Sequence, residues 1–240
     1  MQLWRFLQPS ALGFTLRTTL QALIDKIKGA PSRPVQAARY VAQHARAGDP
    51  EDVLRTLDQF AQQERWLMSI GPKKGPLIRE LAQRLPANAR ILELGAYCGY
   101  SSIMIANAFG TAARITSIEI DQNAVASSRA NVEFAGLSHR ITFVHDASTK
   151  MIPKLQGRFD LVFLDHWKDL YKRDLQLIEQ CGLIGPGSIV VADNVGKIFD
   201  PEAYLDYVRN CGHYDCEHRE ATIEYTSVPD ALEISVYRSS

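Results

Sequence analysis

The sequence predicts an α/β domain built on a doubly wound, mostly parallel sheet. Two observations predict this fold. After Gly75, short runs rich in Ile, Leu and Val alternate with stretches of helical periodicity. Each run is almost continuously apolar, which is typical of parallel strands covered by helices on both faces. Because such sheets bind ligands at the carboxyl ends of their strands, we look for the functional site there.

The elements follow in order along the chain. A helical region is expected from about Val35 to Met68, after a linker at Pro31–Pro34. Five strands are expected at Arg90–Leu94, Arg114–Glu119, Ile141–His145, Leu161–Leu164 and Ser188–Ala192. Helices are expected between them at Tyr100–Ala108, Ala124–Phe134 and Leu170–Cys181. The tail predicts two more strands, Tyr214–Tyr225 and Ala231–Arg238, around a turn at Pro229-Asp230. These two form an antiparallel hairpin at one edge of the sheet.

Residues 1–30 are expected to form a basic amphipathic extension, and residues 31–240 the main domain. Ser10 is the predicted helix cap and Gly29 the predicted stop. The apolar stripe of this helix consists of Leu16, Leu20, Leu23 and Ile27. Two interpretations remain open. The helix packs on its own domain or on a partner subunit, or it makes a weak contact with an anionic membrane surface.

Composition excludes some partners and compartments. The chain of 240 residues carries 27 Lys and Arg against 27 Asp and Glu, so charge offers no reason to expect nucleic acid as a partner. Its four cysteines lack the spacing of a zinc site, which favours a reduced, cytoplasmic protein. We find no run of about 20 apolar residues and no secretion signal. Both a monomer and a homodimer remain open.

A glycine-containing loop follows the first predicted strand, in the segment Glu93–Ser101. Its glycines, Gly95 and Gly99, are spaced G-x-x-x-G and lack the third glycine of a dinucleotide fingerprint. Glu119 ends the next strand, where a carboxylate can accept hydrogen bonds from a ribose diol. The pair suits a nucleoside cofactor with an amino-acid tail. The alternative is an ordinary glycine turn with a solvated Glu119.

Oxygen-bearing side chains end the fourth and fifth strands. Asp165 follows one strand, and Asp193 with Asn194 follows the next. Hard oxygen ligands suit Mg²⁺ better than zinc, and three of them leave about three positions of an octahedral ion for water and substrate oxygens. A vicinal diol on an aromatic ring would fill two. The alternative is that these residues cap a helix or close a turn.

Four segments resemble the catechol O-methyltransferase family: Glu93–Ser101, Phe134–Leu137, Phe163–Asp169 and Ala192–Val195. The resemblance runs from about Val35 to the C-terminus. It implies a Rossmann-like fold that binds S-adenosylmethionine, with Glu119 on the ribose. The other implied cofactor contacts are Met68, Ile70, Glu93, Gly95, Tyr97, Ser101, Ile120, Ser148, Asp165, His166 and Trp167.

The chemistry expected is Mg²⁺-dependent methylation of one catechol hydroxyl. Lys168 lies three residues beyond Asp165, and an amine beside a cation gives up its proton more easily, so Lys168 can act as the base. By resemblance, Glu224 holds the second hydroxyl, and Trp66 and Trp167 sandwich the ring. The expected substrate contacts are Trp66, Met68, Asp165, Trp167, Lys168, Asn194 and Glu224.

Alternative functions also remain open. The chain could act on larger phenols, such as flavonoids or hydroxycinnamoyl esters, or bind S-adenosylmethionine without catalysis. Typical family members place a proline as a substrate wall where this chain reads Gly196-Lys-Ile-Phe199. This departure predicts a looser or differently shaped mouth.

Overall fold

The computed structural model describes residues 19–21, 23–25, 27–199 and 201–238. Seven strands form one sheet in the order β3-β2-β1-β4-β5-β7-β6. Their bounds are β1 Arg90–Leu94, β2 Arg114–Glu119, β3 Ile141–His145, β4 Leu161–Leu164, β5 Ile189–Ala192, β6 Tyr214–Thr222 and β7 Pro229–Tyr237. The strands β1 to β5 are parallel, and β7 pairs antiparallel with both β5 and β6. The predicted doubly wound, Rossmann-like fold with a C-terminal hairpin is confirmed.

Helices cover both faces of the sheet. Their bounds are α1 Arg33–His44, α2 Pro50–Gln63, α3 Gly75–Arg84, α4 Tyr100–Ala108, α5 Gln122–Phe134, α6 Ser148–Met151, α7 Tyr171–Gln180 and α8 Glu202–Asn210. Short 3-10 turns lie at Pro72–Lys74, Ile152–Lys154 and Lys168–Leu170. One hydrophobic core packs α1 to α5 against the sheet, and a second packs α7 and α8 against its other face. Side chains alternate across each strand, so Ile91 belongs to the first core and Leu92 to the second.

The helical region predicted as one unit before the sheet is two helices, α1 and α2. Pro50 begins the second helix because proline cannot donate a backbone hydrogen bond inside one. The side chain of Asp49 caps this helix by accepting a hydrogen bond from the Asp52 N–H. The expected linker at Pro31–Pro34 overlaps the first turn of α1, where Pro34 is tolerated.

The hairpin turn lies earlier than the sequence predicted. Pro229 and Asp230 pair with Thr222 and Ala221, so they belong to β7, and residues 223–228 make the turn. The prediction of a turn at Pro229-Asp230 is wrong because proline is also accepted at the first residue of a strand. The hydroxyl of Thr226 closes the real turn by donating to the Ile223 carbonyl over 2.7 Å. The correction places Asp230 inside the sheet.

The described part of the N-terminal extension is helical over residues 19–21 and 23–25. Asp25 holds it to the domain through Arg65, with 3.0 Å between Oδ1 and Nε. Leu20, Leu23 and Ile27 are 56%, 53% and 76% exposed, so these residues do not pack on their own domain. Leu16 and Ser10 lie outside the described residues. Among the described helices, none combines the length and apolar character that a bilayer span needs.

Candidate active site

A cavity of about 520 Å³ lies at the carboxyl ends of β1, β2 and β4. This is the edge at which a doubly wound sheet binds its ligands. Most of the residues expected to contact the cofactor line it: Met68, Gly95, Tyr97, Glu119, Ile120, Ser148, Asp165, His166 and Trp167. Lys168 lines it too. The two predicted halves of the site, cofactor loop and catalytic lysine, therefore share one cavity.

The loop after β1 follows the cavity wall in a conformation that its sequence permits. Gly95 has φ +99°, and a Cβ there would come within 2.6 Å of the Asp165 carbonyl oxygen, so only glycine fits beside the end of β4. Tyr97 adopts φ 51°, which is uncommon for a residue with a bulky side chain. The N–H groups of Ala96 and Tyr97 donate to Glu119 Oε2 over 3.0 and 3.1 Å. Glu119 thus holds the loop while it lines the cavity.

Three of the expected cofactor contacts, Ile70, Glu93 and Ser101, are buried and are not among the residues that line the cavity. Glu93 accepts hydrogen bonds from the hydroxyls of Ser102 and Ser117 beneath the loop. Burial raises the pKa of its carboxyl group. These three residues thus belong to the buried interior and not to the cavity surface.

A buried carboxylate that the sequence reasoning missed organises the far side of the cavity. Asp174 Oδ2 accepts the Ser148 hydroxyl over 2.5 Å and lies 2.8 Å from His166 Nε2, while Arg173 donates to Oδ1 over 2.8 Å. Burial lowers the pKa of His166. The signal was present in the sequence, because Asp174 falls on the helix face of Tyr171 and Ile178, which is otherwise apolar.

The predicted metal ligands lie together at the ends of β4 and β5. Leu164 is opposite Ala192 in the parallel ladder, and the Asp193 N–H donates to the Leu164 carbonyl over 2.9 Å, so Asp165 and Asp193 follow neighbouring residues. Asp193 is 1% exposed, and its Oδ2 accepts no hydrogen bond from the described residues. Asn194 is buried with φ 54°. An unpartnered buried carboxylate oxygen is costly, and a bound cation would satisfy it.

No group of three or more His, Cys, Asp or Glu side chains arranged to hold a metal occurs in the described ranges. The predicted set has two carboxylates and one amide, and so is not such a group. Burial raises the pKa of Asp165 to about 7, although Lys168 Nζ lies 3.1 Å from its Oδ1. A cation bound here would therefore compete with a proton for this carboxylate near neutral pH.

Two further charged residues, Lys74 and Asp230, complete the cluster, and the sequence reasoning missed both. Lys74 is 4% exposed, and its Nζ donates to Asp193 Oδ1 over 2.5 Å and to Asp230 Oδ2 over 3.2 Å. Burial alone would lower the pKa of Lys74, but attraction to Asp193 and Asp230 raises it. In the sequence nothing distinguishes Lys74 from its exposed neighbour Lys73, and Asp230 was assigned to a turn because it follows Pro229.

Glu224 lies near the same cluster, on the hairpin turn. It is 2% exposed, and neither carboxylate oxygen has a hydrogen-bond partner in the described structure. Burial raises its pKa to about 7, against the opposing charges of Lys74 and Lys73. The indole N–H of Trp66 donates to the Glu224 carbonyl over 3.1 Å, which fixes the two residues side by side. Glu224 is thus an acceptor that lacks a donor.

Aromatic side chains form the remaining walls. Trp167 lines the cavity and is 63% exposed. Phe199 also lines it, with its ring 5.6 Å from Lys168 Nζ, and was not anticipated. Ile198 and Phe199 are buried in a small cluster with Ile223 and Val228, against which Trp66 packs. The segment Gly196–Phe199 thus contributes two buried apolar side chains beside Trp66.

Comparison with known proteins identifies the family of the chain. The sequence model of the O-methyltransferase family matches residues 44–207. The chain is 40% identical over 213 residues to the catechol O-methyltransferase of Bos taurus, which covers 86% of this chain and 77% of that protein. It is 38% identical over 205 residues to the catechol O-methyltransferase of Mus musculus, with 83% and 77% covered.

Solved structures agree on the fold. An O-methyltransferase from Bacillus cereus in complex with SAH superposes with a TM-score of 0.66 at 15% identity, covering 92% of this chain and 98% of that one. Such low identity bears on the fold alone, whereas the sequence matches bear on the family. The chain therefore belongs to the O-methyltransferase family, in the branch of the catechol O-methyltransferases.

Proposed function

We propose that this enzyme transfers the methyl group of S-adenosylmethionine to one hydroxyl of a catechol in a reaction that requires a divalent metal, Mg²⁺. One observation carries the proposal: Asp193 Oδ2 and both oxygens of Glu224 are buried without a hydrogen-bond partner among the described residues. They lie near Asp165 and Lys168, which line the cavity. A cation and a diol would supply the missing partners.

The residues present fit a magnesium ion. Asp165, Asp193 and Asn194 offer hard oxygen ligands from two neighbouring strand ends, as Mg²⁺ prefers. When bound, the ion would stabilise the deprotonated form of a coordinated hydroxyl and orient it as a nucleophile. The surrounding side chains accept the proton, hold the second hydroxyl and position the ring.

Lys168 and Glu224 have different tasks in this mechanism. Lys168 accepts the proton of the reacting hydroxyl, and Glu224 accepts a hydrogen bond from the other hydroxyl. Methyl transfer then forms one C–O bond and breaks one C–S bond. Trp66, Trp167 and Phe199 hold the ring flat and exclude water, which favours a reaction that neutralises opposite charges.

S-adenosylmethionine fits the other end of the cavity. Glu119 lies at the end of β2, where its carboxylate can accept a ribose diol, and Ile120 and Ser148 lie on the side assigned to the adenine. Met68, Gly95, Tyr97, Asp165, His166 and Trp167 also line the cavity and keep the cofactor contacts that the resemblance implies, whereas Ile70, Glu93 and Ser101 lie outside its lining. The SAH bound to the related Bacillus cereus fold supports this assignment.

Turnover of graded substrates tests the proposal. A single-ring catechol is expected to be methylated at least about 100-fold more efficiently, in kcat/KM, than the same ring with one hydroxyl, because only a diol satisfies both the metal and Glu224. The cavity of about 520 Å³ has to hold the cofactor as well, so small catechols are expected to outperform flavonoids and hydroxycinnamoyl esters. A preference for the bulky phenols, or equal use of the monophenol, would contradict the proposal.

Metal affinity is expected to rise with pH. The carboxyl of Asp165 has a pKa of about 7, so below that pH a proton blocks the oxygen that the metal needs. As pH increases through 7 the proton leaves, and the dissociation constant of Mg²⁺ falls by up to about tenfold per unit before it levels off. Calorimetry with S-adenosylhomocysteine present, in two buffers of different ionisation enthalpy, measures affinity and proton release. A constant affinity between about pH 6 and 8 would refute this expectation.

The exposed N-terminal residues and the free cysteines bear on the domain bounds, the compartment and the contacts of the protein. We propose a catalytic domain of residues 31–240 in a reducing compartment, the cytoplasm, because all four cysteines are free thiols. The exposed Leu20, Leu23 and Ile27 support a contact of the basic extension with a partner subunit or with an anionic membrane surface.

A further inference from the structure

We propose that Asp230 is a positioning residue that orients the Asn194 amide so that its oxygen faces the metal, a role that rests on the metal-dependent function proposed above. Asp230 is 4% exposed. Its Oδ2 accepts a hydrogen bond from Asn194 Nδ2 over 2.8 Å, and its Oδ1 accepts one from the Gly196 N–H over 3.2 Å. Asp230 lies at the start of β7 and is not one of the predicted metal ligands.

The chemistry of the two side chains dictates the orientation. An ionised carboxylate only accepts hydrogen bonds, while an amide presents donors on one side and an acceptor on the other. Contact with Asp230 therefore requires the NH₂ side of Asn194, which leaves the amide oxygen directed elsewhere. A flipped amide would offer NH₂ to the cation and could not ligate it.

The backbone keeps Asn194 and Asp230 in contact. The Val195 N–H donates to the Ala231 carbonyl over 2.9 Å, which ties the segment after β5 to β7. A Cβ on Gly196 would come within 2.5 Å of the Asp230 Cα, so this close approach requires glycine. Asn194 adopts φ 54°, which asparagine tolerates better than most residues. These backbone contacts thus keep the side chains of Asn194 and Asp230 within hydrogen-bonding distance.

Lys74 extends the same arrangement to the second ligand. It bridges Asp230 Oδ2 and Asp193 Oδ1, and the Asn194 N–H also donates to Asp193 Oδ1, over 2.7 Å. Asp193 therefore keeps only Oδ2 without a hydrogen bond among the described residues. Each of these two ligands has one atom held by a neighbour and one atom left for the ion, as expected of residues that orient metal ligands.

The first test is the change Asp230→Asn, which keeps size and lets residue 230 donate to the Asn194 oxygen. We expect the dissociation constant of Mn²⁺, measured by electron paramagnetic resonance of the free ion with S-adenosylhomocysteine present, to rise by about 10- to 100-fold. The affinity for S-adenosylhomocysteine is expected to stay unchanged. Wild-type affinity for Mn²⁺ in D230N would overturn the role of Asp230.

Glu233→Gln is the matched control, because Glu233 is also a buried carboxylate on β7 but pairs with Arg209 and His218. It loses the same charge from the same strand and is expected to bind Mn²⁺ within about twofold of the wild type. An equal loss of Mn²⁺ affinity in E233Q would mean that any buried charge on this strand matters, and would overturn the specific role of Asp230.

A charge swap provides the decisive variant, including the case in which D230N does not fold. In the double variant N194D/D230N the amide at 230 donates to one oxygen of the carboxylate at 194 and leaves the other for the ion. We expect it to recover Mn²⁺ affinity to within about fivefold of the wild type. A double variant that folds and binds S-adenosylhomocysteine, yet binds Mn²⁺ no better than D230N or more than fivefold more weakly than the wild type, would refute the proposal. Absence of Mn²⁺ binding by the wild type would instead refute the metal-dependent function.

Discussion

Replacement of Lys168 by alanine is expected to lower kcat by about 10²- to 10⁴-fold, the usual contribution of a positioned general base. The Lys168 amine lies 3.1 Å from Asp165 Oδ1, above the rings of Tyr171 and Phe199, so it points to where the reacting hydroxyl would bind. The dissociation constant of S-adenosylmethionine is expected to change by less than about threefold, because Lys168 acts on the substrate proton and the cofactor has many other contacts. Single-turnover kinetics and calorimetry measure the two quantities separately.

Two further variants distinguish a base from a simple positive charge. Lys168→Arg keeps the positive charge, but a guanidinium stays protonated near neutral pH and cannot accept a proton. This variant should therefore remain as slow as the alanine variant. Lys172→Ala removes the next lysine, which lies over the Tyr207 ring of α8 and does not line the cavity, and should leave kcat unchanged. Near-normal turnover by K168R would show that Lys168 acts through charge alone, and near-normal turnover by K168A would remove it from the mechanism.

The sheet could be predicted from sequence because its signals are local. The strands β1 to β4 begin and end where their apolar runs do, and β5 begins one residue later than expected. The hairpin was harder, since Pro229-Asp230 satisfies the rules for a turn as well as those for the first residues of a strand. Only pairing with Thr222 and Ala221, across the sheet, decides between them.

The site residues likewise divide into those that the sequence predicts and those that only the fold reveals. The proximity of Asp165, Asp193 and Asn194 could be predicted because the carboxyl ends of adjacent parallel strands must meet at one edge. Lys74 could not, because the residues it bridges lie 119 and 156 positions away, and a long-range ion pair leaves no periodic pattern. Nothing local distinguishes a buried lysine from a solvated one, so the ion pairs of Lys74 are visible only in the fold, which brings the 3-10 turn before α3, the end of β5 and the start of β7 together.

The electrostatics of the cluster support the proposal of a bound cation. Asp165, Asp193, Asp230 and Glu224 bring four carboxylates, and Lys74 and Lys168 bring two amines, into one largely buried region. Burial raises the pKa of Asp165 and of Glu224, each to about 7, against the attraction of the neighbouring lysines. A divalent cation would supply the missing charge and make the ionised forms favourable.

Removal of divalent metal is accordingly expected to lower turnover by about 10³-fold or more, since a hydroxyl then loses both the charge that stabilises its anion and the ligand that orients it. Treatment with EDTA followed by gel filtration should give this inactive form, and Mg²⁺ should restore full activity. Binding of S-adenosylhomocysteine should survive, because Glu119 and the glycine loop, at the ends of β2 and β1, are not among the proposed metal ligands. Activity that persists after chelation, with metal content verified below the enzyme concentration, would show that Lys168 and Glu224 suffice, and the unpartnered oxygen of Asp193 would then need another explanation.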